Sequence, residues 1–239
     1  MSNKKETYSF PWFSYHGKYT RNTPSYYNTI DFEWTKTIEQ NYPQIKQEIE
    51  QFIKTKDLDP YFNVDLVKGQ NKWLIGGFYF WGERFSENCE HVPTLEKILT
   101  NIPGFVSAGL SILEPNTSIE AHNGDTDASI RGHLPFEIPA QLPDCGFEVC
   151  GVQKSWEEGK LLLFNDAQLH KAWNHTNKRR YLLIFDIIKP EYLNQQDDIC
   201  KNAQSLIELQ RLEYKFPLVK KLPGKVRGII RRRLKAKLN

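Results

Sequence analysis

The sequence predicts a mainly β chain, a jelly-roll sandwich or barrel with helices packed outside it, and three observations carry that expectation. From Pro103 to Lys189, short apolar and β-branched runs recur at regular intervals between clusters of turn-forming residues. Ahead of them, residues 31–54 space their apolar side chains as an amphipathic helix does. At 239 residues and 39% hydrophobic composition, the chain can bury one substantial core, a size that single β-rich domains commonly reach.

Residues 1–30 hold the clusters Phe10-Pro11-Trp12-Phe13 and Pro24-Ser25-Tyr26-Tyr27 without a period, and read as an extended arm lying on the domain. In 31–54, Phe32, Trp34, Ile38, Ile45, Ile49, Phe52 and Ile53 predict one or two helices interrupted near Pro43. Strands are expected at 73–81, 106–113, 130–138, 146–152, 160–165 and 180–188, with a short helix at 92–100. The main domain is placed at 31–193. Beyond it, 194–239 is expected to form a helical basic tail: a helix at 197–214, then a basic segment at 218–238 broken by Pro223 and Gly224.

Charge sets that tail apart. Residues 211–239 hold 11 Lys and Arg against Glu213 alone, leaving 21 basic and 28 acidic residues elsewhere, so the tail carries +10 and the body −7. Three readings suit such a segment: a solvated helix, contact with an anionic membrane surface, or contact with nucleic acid, the last the least expected. No apolar run is long enough to span a bilayer, and the N-terminus does not read as a secretory signal, so a cytoplasmic protein, at most peripheral at a membrane, is expected. Cys89, Cys145, Cys150 and Cys200 lack metal-site spacing and are expected as free thiols.

The residues that carry chemistry surround two histidines. His122 ends one apolar run, and His170 stands ten positions before Arg180, which opens the last expected strand. Iron(II) that activates dioxygen takes imidazole and carboxylate ligands and keeps positions open. A ligand carboxylate would normally follow the first histidine by two positions, where this chain has Gly124; Asp125 and Asp127 are out of register. Arg131, His133 and Arg180 all fall on expected strands. A buried guanidinium needs an anion, and a bidentate carboxylate meets that need. The set points to an iron enzyme with an organic diacid as co-substrate.

Six motifs then agree in order between about residues 24 and 191. They are Ser111-Ile112-Leu113-Glu114-Pro115, His122-Asn123-Gly124, Arg131-Gly132-His133-Leu134, Trp156-Glu157-Glu158-Gly159-Lys160, Phe164-Asn165-Asp166 and His170-Lys171-Ala172-Trp173. Together they resemble the aspartyl/asparaginyl β-hydroxylase family. The resemblance implies a double-stranded β-helix, cupin-like, and an Fe(II)- and 2-oxoglutarate-dependent dioxygenase. His122 and His170 match its metal ligands, and the family's missing ligand carboxylate agrees with Gly124. Ser111 and Arg180 match the residues that hold the distal carboxylate of 2-oxoglutarate, and Arg131 and His133 those near its chelating end. Asp166 matches an acidic position beside the second histidine that is not a ligand. Where animal members carry an arginine, this chain has Ser129, which weakens the case for an acidic peptide side chain as substrate.

The expected reaction is hydroxylation of a C–H bond in an amino-acid-like, peptidyl or acyl substrate, with release of succinate and carbon dioxide. Halogenation is a minor alternative, since the missing carboxylate leaves room for a halide. A non-catalytic jelly-roll ligand-binding protein and a lipid hydroxylase recruited to a membrane by the basic tail are the others. Of the six tryptophans, only Trp173 is expected to line a substrate pocket; the others read as packing.

Overall fold

The computed structural model describes residues 8–69 and 72–238. Residues 1–7 of the expected arm and Asn239 of the tail lie outside the described residues. The remainder of the arm runs along the sandwich: Phe13 bridges to Thr126, and β1 (Tyr26–Tyr27) adds to a sheet edge. Two helices follow, α1 (Trp34–Gln40) and α2 (Tyr42–Thr55). The break falls at Asn41, near Pro43 as expected, and Pro43 itself sits in the first turn of α2, where an amide hydrogen has no helical partner to lose.

Next come β2 (Asp59–Pro60), β3 (Trp73–Phe80), β4 (Glu83–Arg84), α3 (Ser86–Cys89) and α4 (Pro93–Thr100). The sandwich is completed by β5 (Phe105–Leu113), β6 (Thr117–His122), β7 (Ser129–Glu137), β8 (Cys145–Val149), β9 (Val152–Lys154), β10 (Leu162–Phe164), β11 (His170–Asn174) and β12 (Arg180–Ile188). The larger antiparallel sheet has the order β1-β10-β7-β12-β5-β3-β2, with β4 beside β3; the smaller has the order β6-β11-β8-β9. Mainly β structure in two facing sheets, with flanking helices, is the jelly roll that the sequence predicts.

Alternation in the central strands decides what each face carries. In β12, Leu183, Phe185 and Ile187 join a core with Ile45, Ile49 and Phe52 of α2 and Leu95 and Leu99 of α4. The alternate positions, Arg180, Leu182 and Ile184, turn toward the smaller sheet, where Leu182 packs with Phe147 and Ala172. A one-residue slip would exchange the two sets, so burial on both faces fixes the register. Gly132 on β7 has a related role: a Cβ there would lie 2.2 Å from Phe185 Cζ.

The run expected as one strand at 146–152 is a hairpin. Cys150 and Gly151 both take positive φ, 47° and 81°, and return the chain so that Val149 pairs with Val152. Strands β6 and β11 went unanticipated, because polar residues and histidines dilute their alternation.

The C-terminal region starts with α5 (Gln196–Lys215), whose Ile199, Cys200, Ala203 and Leu206 pack with Trp81, Val106 and Ile188. The region set apart at 194–239 therefore begins with a helix that closes one end of the sandwich. Short α6 (Pro217–Lys220) and α7 (Gly224–Ala236) follow. The basic segment is broken at Pro223 and Gly224 as expected: α6 ends at Lys220 and Pro223 is the N-cap of α7, a place where proline is well tolerated. All four cysteines are free thiols. Among the described residues, no helix is long and apolar enough to cross a membrane.

Candidate functional site

Neighbouring strands β6 and β11 hold His122 directly opposite His170. Their ring centroids are 4.2 Å apart and the planes are tilted by 57°. Each ring is anchored through Nδ1, 2.8 Å from the Glu120 carbonyl for His122 and 2.8 Å from the Gln168 carbonyl for His170. A carbonyl only accepts, so each Nδ1 carries the proton and each Nε2 presents a lone pair. Burial lowers both pKa values, that of His170 well below the usual one, with the neighbouring His122 adding to the effect. Both rings are held neutral, the form that binds a metal.

A carboxylate adjoins the pair. Asp166 Oδ1 lies 3.5 Å from His170 Nε2 and 2.5 Å from Arg131 Nη1. Gly124 backs onto it: a Cβ at 124 would lie 1.7 Å from Asp166 Oδ2. The space beside the histidines is thus filled from the β10–β11 connection. Arg131 also grips Asp186 on β12 with Nε at 3.0 Å and Nη2 at 2.9 Å, and Ser129 Oγ donates to the same carboxylate over 3.2 Å. Three of its five N–H groups are committed to carboxylates.

Arg180 is placed differently. It is 2% exposed, and among the described residues its Nε has no partner and Nη1 reaches only Ser111 Oγ at 3.5 Å. The Trp156 ring lies 5.0 Å from the guanidinium, and Trp73 Nε1 donates to Ser111 Oγ over 3.0 Å. Desolvation pulls the Arg180 pKa down to about 10. One stretched hydroxyl contact does not offset the burial of a cation. Beside it, His133 Nδ1 accepts from Trp156 Nε1 over 3.2 Å, and burial together with the Arg180 charge keeps His133 neutral.

Ser111, His122, Arg131, His133, His170 and Arg180 all line one pocket, which is open to solvent. Apolar walls come from Ile119, Phe147, Phe164, Ala172 and Ile184. All six residues singled out in the sequence therefore meet. Two contributors were missed. Trp73 lines the pocket and orients Ser111, and Trp156 contacts both Arg180 and His133. The Trp156-Glu157-Glu158-Gly159 motif was a signal for the second; nothing marked the first. Trp173, expected at the pocket, instead donates to the Pro143 carbonyl over 2.7 Å and covers Gly146.

Among the described residues, no group of three or more His, Cys, Asp or Glu could hold a metal ion, so the donor set is two imidazoles. The lone pairs at one end and the unpaired buried guanidinium at the other fit a metal and a dicarboxylate. A jelly roll with a histidine pair facing a buried arginine defines the class. Residues 39–190 match the model of the aspartyl/asparaginyl beta-hydroxylase family, more than half of the chain, and the protein belongs to that family.

The protein is 32% identical over 172 residues to an ornithine lipid ester-linked acyl 2-hydroxylase from Rhizobium tropici, covering 70% of this chain and 61% of that one. It is 29% identical over 170 residues to the human aspartyl/asparaginyl beta-hydroxylase, covering 69% of this chain and 22% of that one. The chain thus spans less than two thirds of either relative. Among solved structures, a prolyl-4-hydroxylase from Pseudomonas putida is similar with a TM-score of 0.45 at 14% identity, covering 63% of this chain and 87% of that one.

Proposed function

We propose that the protein is an Fe(II)- and 2-oxoglutarate-dependent hydroxylase acting on a C–H bond of an amino-acid-like, peptidyl or acyl substrate, with an acyl chain favoured. The observation that carries this reading is the meeting, in one pocket, of two imidazoles that present Nε2 and a buried guanidinium that has no carboxylate. When iron and 2-oxoglutarate are bound, dioxygen is consumed, succinate and carbon dioxide leave, and a substrate C–H bond is hydroxylated.

The chain's own residues bind and orient. His122 and His170 would hold the metal. Arg180 would take the distal carboxylate of 2-oxoglutarate, joined by the Ser111 hydroxyl that Trp73 fixes in place. His133 and the two uncommitted N–H groups of Arg131 would face the keto-acid end. Asp166, held by Arg131, would accept a hydrogen bond from a donor at an open position next to the histidines. Phe147, Phe164 and Ile184 exclude water and keep the reacting groups in one geometry.

Two points favour an acyl chain. One relative is named as an acyl hydroxylase. Arg131 is already balanced by Asp166 and Asp186, so it is poorly placed to receive a substrate carboxylate as well. The same Asp166 fills the room that a halide would use beside Gly124, which favours hydroxylation over halogenation. Anaerobic addition of Fe(II) and then 2-oxoglutarate tests the proposal. A visible charge-transfer band is expected in the wild type and not in His122→Ala. No band under any condition would sink the hydroxylase reading and leave a ligand-binding jelly roll; a band without succinate release on any acyl, peptidyl or amino-acid substrate would point the same way.

A further inference from the structure

Helix α7 meets the body with its charged side. Arg227 Nε pairs with Glu213 at 2.6 Å, Arg231 Nη1 donates to Asn202 Oδ1 over 3.1 Å, and Lys235 Nζ pairs with Asp198 at 2.5 Å. Positions 227, 231 and 235 recur every four residues, so these contacts form one stripe, and their partners run backwards along α5. The two helices make an antiparallel hairpin.

The opposite arc faces outward, and it is not the usual polar face of a solvated helix. It carries Lys225, Val226, Ile229, Arg232, Arg233 and Lys237. Val226 is 39% and Ile229 45% exposed. Among the described residues, none of these four cations has an ion-pair partner, unlike Arg227 and Lys235 on the docked stripe. The connection before α7 continues the pattern, with Phe216 51% and Leu218 76% exposed next to Lys215 and Lys221. Apolar side chains set among unpaired cations suit a surface that is anionic outside and hydrocarbon a few ångströms in. Nucleic acid would call for cations and stacking rings; the patch has the cations, but Val226, Ile229 and Leu218 are aliphatic and cannot stack, which leaves Phe216 as the one ring among the side chains named.

The same end of the hairpin lies beside the pocket. Lys220 pairs with Asp65 at 3.3 Å, and Gln210 donates to Asp125 over 3.0 Å. Asp65 belongs to the segment that runs from Tyr61, stacked on Trp73 at 3.9 Å, to Val67, which bridges to Ile119 beside His122. We propose that the outer face of α7, with residues 216–222, docks on the surface of an anionic lipid bilayer, so that the segment flanking the pocket is held against the membrane. Binding of this kind stands apart from the hydroxylase reading; only its use, to bring acyl chains to the pocket, rests on that reading.

The test is flotation of the full-length protein with vesicles of phosphatidylcholine alone, or of equal parts phosphatidylcholine and phosphatidylglycerol. Binding to the anionic vesicles only, weakened by salt, is expected. Lys225→Ala/Arg232→Ala/Arg233→Ala should weaken it roughly a hundredfold, at about fivefold per basic residue. Val226→Ser/Ile229→Ser should weaken it roughly tenfold with the charge unchanged. These side chains are exposed, so thermal melts of both variants should match the wild type. Absence of binding to anionic vesicles, equal binding to neutral ones, or full binding by both variants would overturn the proposal, as would tighter retention on duplex DNA that ignores the apolar pair. Succinate release without vesicles reports on the hydroxylase reading separately.

Discussion

Two arginines stand at opposite ends of one pocket, and they differ by two carboxylates. Arg131 is gripped by Asp166 and Asp186, so its charge is balanced without a ligand. Arg180 is more deeply buried, yet it meets only a hydroxyl and the face of Trp156. Burial alone therefore does not mark a binding residue. What marks Arg180 is a desolvated charge for which the described residues supply no counter-ion.

The largest test of that contrast is Arg131→Met. It leaves Asp166 and Asp186 buried without their cation, and urea unfolding should show a loss of about 3–5 kcal/mol. A loss below about 1 kcal/mol would break the comparison, since such a value belongs to an exposed ion pair. Arg180→Met should do the reverse to the free protein, leaving stability unchanged or higher by about 1 kcal/mol, because an unpaired buried charge is removed. Its cost should appear in binding instead, as a roughly hundredfold weaker response to 2-oxoglutarate, about 2.7 kcal/mol for a lost charge-assisted pair. If Arg180→Met destabilised the fold as Arg131→Met does, the two ends would be equivalent.

Gly124→Ala probes half of the Arg131 arrangement. The added Cβ must displace Asp166, and a stability loss of about 1–3 kcal/mol is expected from calorimetry, with weaker metal binding. The smallest effect concerns His133, whose pKa is held well below 6.5 by burial and then by the Arg180 charge. Below pH 6.5 the unfolded chain takes up a proton that the folded chain refuses, so stability falls as pH falls, by about 1.4 kcal/mol per pH unit for this group. His133→Phe should remove that part of the slope in urea titrations; an unchanged slope would show that His133 protonates freely.

The pocket was unusually legible in the sequence because its polar residues sit on strands whose other face is strongly apolar. Arg131 and His133 alternate with Ile130, Gly132 and Leu134, Arg180 opens the apolar run that ends at Ile188, and alternation sends all three to the inner face. The two strands that carry the histidines were harder to see. Thr117-Ser118-Ile119-Glu120-Ala121-His122 shows little apolar contrast, and the pairing of His122 with His170 is set by a partner strand far along the chain. Asp186 reads from the sequence as the partner of a nearby base, but that the base is Arg131 was hidden for the same reason, since cross-strand register is not written locally. Trp73 gave no sign at all, because its ring serves the site while its strand neighbours serve the core.

The contact between Gly124 and Asp166 reaches beyond this molecule. Beside the histidine pair there is volume for one carboxylate, and two stretches of backbone could deliver it: the loop after β6 or the connection before β11. Asp166 leaves no room for a Cβ at position 124, so the two solutions compete for the same few cubic ångströms. Jelly rolls built on this plan should then show an exchange rule: an acidic side chain at the position of Gly124 accompanies a small residue at that of Asp166, and the reverse. Moving the carboxylate from one stretch to the other would take two coordinated changes, which makes each arrangement a separate evolutionary state.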